Sequence, residues 1–219
     1  MTFPALDYAI KPERVSLARC RLNGKTFEIA ARSSAAKSLA LRVRLPDAGI
    51  ATLWVELNPK VLELTPKQVE EYLDELNAPA ALRQSWENAG AKKRWREIYT
   101  KHTKTFVRVG EGVADHSWAE SVGMALEIVP EKDPTALRAG DDFPVRVLKN
   151  GSPLPNFSLG IVREGNSFSE FQKTDAEGRV SFRLARSGKW LLRGTDLRQS
   201  TKPGTEWQSD FATLTIEVP

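Results

Sequence analysis

The sequence predicts a mainly β fold, arranged as two antiparallel β-sandwich modules with a helical insertion in the first. Three observations carry this expectation. Apolar and polar residues alternate with period two at both ends of the chain. Turn residues such as Asn23-Gly24, Asn150-Gly151 and Ser187-Gly188 punctuate those runs at the spacing of a sandwich. Between the two ends, from about residue 66 to 102, the apolar spacing changes to that of a helix.

The first module takes residues 1–122. Arg14–Leu22 and Lys25–Ala31 flank Asn23-Gly24, a dipeptide favoured in tight hairpins because both residues tolerate positive φ. Leu39, Leu41, Val43 and Leu45 share one strand face. After the Pro46-Asp47-Ala48-Gly49 turn, Ala51, Leu53, Val55 and Leu57 share another. Thr65-Pro66-Lys67-Gln68 then supplies a cap hydroxyl, a proline at the first helical position and a glutamine at the third. Val69, Tyr72, Leu73 and Leu76 follow at helical spacing. A second short helix is expected between Pro79 and Gly90, and a third from Ala91 with Trp95, Ile98, Tyr99 and His102 on one stripe. Val69, Tyr72, Leu73, Leu76, Trp95, Ile98 and Tyr99 should face the first sheet, leaving the charged helical faces outward as a docking platform. Thr103–Val109 returns to strand, and the polar, glycine-containing stretch 110–123 marks the module boundary.

The second module, 123–219, should hold seven strands. They are Met124–Val129, Phe143–Lys149, Phe157–Arg163, Ser167–Thr174, Arg179–Ala185, Lys189–Gly194 and Phe211–Val218. Alternation places Val145, Val147, Val180, Phe182, Leu184, Leu214 and Ile216 in its core.

Composition narrows the function classes. The chain has 219 residues and a net charge of +4, too mildly basic to imply a nucleic-acid partner. No apolar run approaches the roughly 18 residues a membrane-spanning helix needs. Cys20 is the lone cysteine, which excludes an intrachain disulfide and a cysteine metal cluster. The basic run Lys92-Lys93-Arg94-Trp95-Arg96 reads as the solvated face of a helix whose aromatics are buried, with Glu97 one turn from Lys93 and Lys101.

Catalytic signatures are missing. There is no Gly-x-Ser-x-Gly elbow, no phosphate-cradling glycine loop and no cysteine with a neighbouring histidine, so no catalytic residue is assigned and no cofactor is expected. His102 and His116 are the two histidines. With Asp115 they are the candidates for a metal, though they share no motif spacing. Of the six tryptophans, Trp118 and Trp207 fall in loop-like segments and are the candidates for a ligand surface.

An ordered set of segments resembles a known bacterial family. It runs from Tyr8-Ala9-Ile10-Lys11-Pro12-Glu13-Arg14-Val15 through Arg96-Glu97-Ile98-Tyr99-Thr100-Lys101 and Lys104-Thr105-Phe106-Val107-Arg108-Val109-Gly110. It continues through Leu126-Glu127-Ile128-Val129-Pro130 and Ala139-Gly140-Asp141 to Gly188-Lys189-Trp190-Leu191-Leu192-Arg193. The set is similar to domain of unknown function 4198, loosely labelled NikM-like. Thr174-Asp175-Ala176-Glu177-Gly178-Arg179-Val180 is also similar to the turn-then-strand signature of transthyretin-like and carboxypeptidase-regulatory modules. The resemblance implies two Ig-like or transthyretin-like modules in a periplasmic or secreted protein.

Its implied function is a non-catalytic binding or accessory role in the envelope, with an envelope protein or transporter component as partner. The alternatives are a periplasmic nickel- or cobalt-binding protein of a metal-uptake system and a carbohydrate-binding module. Two departures count against the metal reading. Relatives open with a signal and a His-Asp-aromatic start, which the first residues here lack, and many place a histidine where this chain has Gly194-Thr195-Asp196. A first strand is therefore expected to be missing. The consequence would be an open sheet edge, a swapped segment or an edge-to-edge homodimer, unless Phe3–Ile10 supplies that strand.

Overall fold

The computed structural model describes residues 9–90, 93–111, 115–166 and 168–219. The chain begins with a short 3-10 turn and then forms β1 (Val15–Leu22), β2 (Lys25–Glu28), β3 (Ala31–Ser34), β4 (Leu39–Arg42), β5 (Gly49–Leu57) and β6 (Lys60–Leu64). Helices α1 (Pro66–Glu75) and α2 (Ala80–Glu87) precede the long strand β7 (Trp95–Val109). Then come β8 (Leu126–Pro130), β9 (Asp141–Lys149), β10 (Ser152–Pro153), β11 (Ser158–Arg163) and β12 (Glu170–Lys173). The chain closes with β13 (Arg179–Leu184), β14 (Gly188–Gln199) and β15 (Trp207–Val218).

A nine-stranded sheet organises the molecule, in the order β12-β11-β14-β15-β7-β5-β1-β2, with β6 beside the first half of β7. Its strands come from both sides of residue 122, so the expected boundary does not divide the sheets. The joint is β15 against β7, the parallel pair, with Trp207 opposite Glu97 and Thr215 opposite Thr105. The end strands β12 and β2 have four residues each. Short edges of this kind offer little backbone for pairing with another chain. Phe3–Ile10, the segment that would supply the strand expected to be missing, lies outside the described residues except for Ala9 and Ile10.

The inner face of the sheet packs on a four-stranded sheet of β8, β9, β10 and β13. Leu126, Phe143, Val145, Val147, Val180, Phe182 and Leu184 of the small sheet meet Leu159, Leu192, Ala212, Leu214 and Ile216 of the large one. All seven residues expected in this core are buried, because period-two alternation aims each set at one face. Two glycines make close packing possible. A Cβ on Gly194 would lie 2.4 Å from the Phe157 ring, and one on Gly160 would lie 2.7 Å from Phe171.

The outer face is covered in patches. On one flank, the β3–β4 hairpin and the segment after it bring Leu39, Leu41, Val43 and Leu45 onto Ala18, Cys20 and Ala51. At one end, α1 and α2 place Val69, Leu73 and Trp86 on Trp95, Leu197 and Trp207. Thr65 caps α1 as expected: its hydroxyl accepts from Gln68 N, and Gln68 Oε1 accepts from Thr65 N at 3.0 Å.

One expectation is overturned. Of the helix expected from Ala91 to His102, residues 95–102 form the first half of β7, and Ala91 lies outside the described residues. Trp95 and Glu97 are buried on the outer face at one end of this strand, whereas His102 and Lys104 are buried on the inner face further along. Two half-strands that bury opposite faces leave a spacing that imitates a helical stripe. The charged faces expected around that third helix are therefore absent. Arg94 and Arg96 lead into the strand and pair with Glu63 of β6.

Candidate functional site

Four neighbouring strands deliver ionisable groups to the inner face beside the sandwich core. His102 of β7 is 2 % exposed and lies between two carboxylates. Nδ1 is 2.8 Å from Glu56 Oε2 on β5, and Nε2 is 3.3 Å from Asp210 Oδ1 on β15. Asp210 Oδ2 is also 2.5 Å from Lys149 Nζ and 3.0 Å from Arg198 Nη2. Asp196 Oδ2 contacts the same two cations at 2.8 and 2.7 Å.

Burial on its own would lower the pKa of His102, but hydrogen bonds to Asp210 and Glu56 outweigh it and raise the value to about 9. Asp210 is pushed up by burial and pulled further down by His102, Lys149 and Arg198, ending well below the usual carboxylate range. The imidazolium therefore donates from both nitrogens and keeps no lone pair to ligate a metal or accept a proton.

A folded-state pKa of about 9 against an ordinary 6.5 means that the native state holds this proton where the unfolded chain has released it. The resulting stabilisation is complete below about pH 6.5 and disappears as pH rises through about 9. Chemical denaturation of wild type across pH 6–10 should show that decline, and H102Q should flatten it. Equal slopes in the two proteins would refute the assignment.

A second carboxylate, Glu97, is fully buried on the outer face beneath the helices. Tyr72 Oη donates to Oε1 at 3.0 Å, Trp95 Nε1 donates to Oε2 at 2.9 Å, and Ser209 Oγ donates to Oε1. Burial raises the pKa of Glu97 despite these three donors, and burial together with Glu97 pushes the Tyr72 phenol upward. The aromatic groups close the box: Trp95 stacks on Trp207 at 4.4 Å and meets Trp86 edge-on at 5.6 Å. The expected surface pairing of Glu97 with Lys93 and Lys101 is replaced by this closed box.

A third group holds the connection between β7 and β8. Lys104 and Glu127 form an ion pair, each side chain 1 % exposed. Glu127 also accepts from Ser121 Oγ at 2.6 Å and from the backbone N–H groups of Val122, Gly123 and Met124. Arg21 reaches across to the carbonyls of Ser117 at 2.6 Å and Glu120 at 2.8 Å.

The candidates read from the sequence are scattered by the fold. Asp115 is occupied by the backbone N–H groups of Ile50 and Ser117 at 3.0 and 2.9 Å and of Asn23 at 3.4 Å, which fix its carboxylate as a loop clamp. His116 is exposed, with its ring 6.2 Å from that of Trp118. Among the described residues, no three histidine, cysteine or acidic side chains are grouped to hold a metal ion. Trp118 is buried in a 3-10 turn, and Trp207 is buried at the start of β15 rather than lying in a loop. A shallow cleft of about 440 Å³ touches Trp207, Trp86, Arg94 and Glu206, but Trp207 stacks on Trp95 and Lys93 lies over the Trp86 ring.

What remains accessible is a strip in the middle of the outer face, between the helices and the β3–β4 hairpin. Thr103 and Thr105 of β7 lie beside Thr213 and Thr215 of β15. Val107, on the same face two residues beyond Thr105, is 46 % exposed. At the other end of the strip, Lys101 Nζ lies 5.7 Å from the Tyr99 ring centroid and 5.6 Å from that of Phe211, while the Arg14 guanidinium lies 5.8 Å from Tyr99. The alternation of Thr103–Val109 encodes most of this strip, and the helical reading of Tyr99 and Lys101 hid its other end in the sequence.

Among the described residues, no helix is long and apolar enough to cross a membrane. Residues 21–195 match the family described as Domain of unknown function (DUF4198). No curated protein and no solved structure matches the chain.

Proposed function

The chain belongs to the DUF4198 family, a domain of unknown function, and from that premise we propose that it is a non-catalytic binding or accessory protein of the bacterial envelope, docking through the open strip of its nine-stranded sheet. The observation that carries the reading is the strip itself. Strands so well covered on the inner face leave Thr103, Val107 and Lys101 exposed in the middle of the outer one. A solvated sheet face is common; the reading rests on this one carrying Val107, two threonine pairs and a lysine held against aromatic rings. The buried ionisable groups support the non-catalytic side, since His102, Glu97 and Glu127 each have their donors and acceptors occupied by the protein. An extracytoplasmic location, service to a transport system, the transthyretin-like character of the second half and the description of α1–α2 as an insertion belong to the same proposal and rest on the family resemblance.

Selection of binders from a displayed peptide library tests the reading. Selected peptides should lose at least tenfold in affinity for T103R/V107R, two exposed substitutions that leave the cores intact. Peptides indifferent to those substitutions would remove the strip from consideration. Calorimetric titration with nickel and cobalt provides the contrasting outcome: a stoichiometric ion held at submicromolar affinity and lost in H116A would move the reading to metal binding.

A further inference from the structure

Resting on that docking surface, we propose that its partner is an acidic polypeptide segment, laid along the strip in extended form with its carboxylates on Arg14, Lys60 and Lys101. Tyr99 is the hub of this end of the strip. Lys60 of β6 is its register partner and so shares its face. Arg14 and Lys101 both lie against its ring, and Lys101 also lies against Phe211. None of the three cations is in an ion pair with a described residue, although Arg94 and Arg96 pair with Glu63, and Lys149 of the small sheet pairs with two aspartates.

The charges around them leave the position open for an anion. Glu13, next to Arg14 in the chain, is exposed and makes no ion pair with a described residue, and its backbone carbonyl accepts from Asn58. Asn58 returns its own carbonyl to Arg14 Nη1 at 2.6 Å, which fixes the guanidinium. Partial burial lowers the pKa of Lys101, and Arg14 lowers it further, as expected of two like charges held close together. A carboxylate arriving here meets cations already positioned on aromatic faces, and it relieves their repulsion.

The shape selects a chain over a small anion. The cations gather around Tyr99 at one end of a longer track, so a chain held there by its carboxylates has further sheet surface to lie along. From Tyr99 to Val107 that track extends roughly 26 Å at the usual strand rise. It is floored by the threonine pairs Thr103–Thr213 and Thr105–Thr215, whose hydroxyls suit a neutral, extended stretch of polypeptide.

Fluorescence anisotropy of the intact protein provides the test. The probe is a labelled eight-residue peptide alternating glutamate with threonine, compared with its glutamine counterpart, inorganic phosphate as competitor and vesicles containing an anionic lipid. The acidic peptide should bind at least tenfold more tightly than the glutamine one, weaken as salt rises, and lose at least tenfold in K60E/K101E while the thermal melt of that variant matches wild type. Equal binding of the two peptides, or an unchanged affinity in K60E/K101E, would overturn the proposal, as would binding of vesicles or phosphate in place of the peptide. If library-selected peptides still depend on Thr103 and Val107 while the acidic probe fails, the acidic partner is refuted and the docking strip stands. If no binder depends on those residues, both fall.

Discussion

Replacing Lys104 by alanine should destabilise the protein by about 3–5 kcal/mol, because it strands the Glu127 carboxylate where water cannot reach it. The lysine is held on the inner face of β7, where burial lowers its pKa and Glu127 opposes that pull. Glu127 is pushed up by burial and brought below its usual range by Lys104, Ser121 and the N–H of Val122. Removing the cation leaves four donors on a charge they cannot neutralise, and the loop from Ser121 to Met124 should loosen with it. The double variant K104M/E127L is the informative control: with both charges gone and the volume retained, most of the loss should be recovered. Urea denaturation of both variants measures this. A cost below about 1 kcal/mol for K104A would mean that the pair is solvated in solution.

A comparable loss is expected from W95A, for a different reason. Trp95 is 1 % exposed and holds together the packing of α1, α2 and the sheet, stacked on Trp207 with Trp86 and Tyr72 at its edges. Truncation should cost about 3–5 kcal/mol in transfer and cavity terms. Roughly 1–3 kcal/mol more should follow from removing the N–H that Glu97 accepts. W95F separates the two contributions, since it keeps most of the apolar contact and loses the hydrogen bond. Its cost should fall near the smaller figure. If W95F and W95A were equally damaging, the hydrogen bond rather than the packing would dominate the box.

The sequence was most legible where one strand serves one face. Val180, Phe182 and Leu184 on β13, or Val145 and Val147 on β9, alternate cleanly because the opposite side of that small sheet is solvated. All seven strands expected after residue 123 are present, and the two-residue β10 had no pattern to reveal it. β7 failed for a physical reason: neither of its faces is apolar along the whole length. Short β3 and β6 were missed because Ala31–Ser34 and Lys60–Leu64 have too few residues to establish a period.

The candidate site was largely hidden. Lys104 and Glu97 look like surface residues in a sequence, His102 reads as part of a helical stripe, and what buries them comes from as far away as Ser209 and Asp210. Nothing near Glu97 announces that Tyr72 and Ser209 will donate to it. His116, named as a metal candidate, is exposed, while Asp115 beside it is buried. The loop-like segment around Trp118 suggests a surface ring, and the turn folds that ring inward instead.

The parallel register of β15 against β7 has a consequence for the order in which the molecule can be assembled. Trp207 meets Glu97 and Thr215 meets Thr105, partners separated by 110 residues of chain. Chain-closure entropy over such a distance slows the search for the pair. Until β15 is available, β7 has an unpaired border, and the aromatic box lacks both Trp207 and Ser209. During synthesis the first half of the sheet must therefore wait for residues 207–218 to leave the ribosome, with an exposed strand edge that a chaperone or a second nascent chain could occupy.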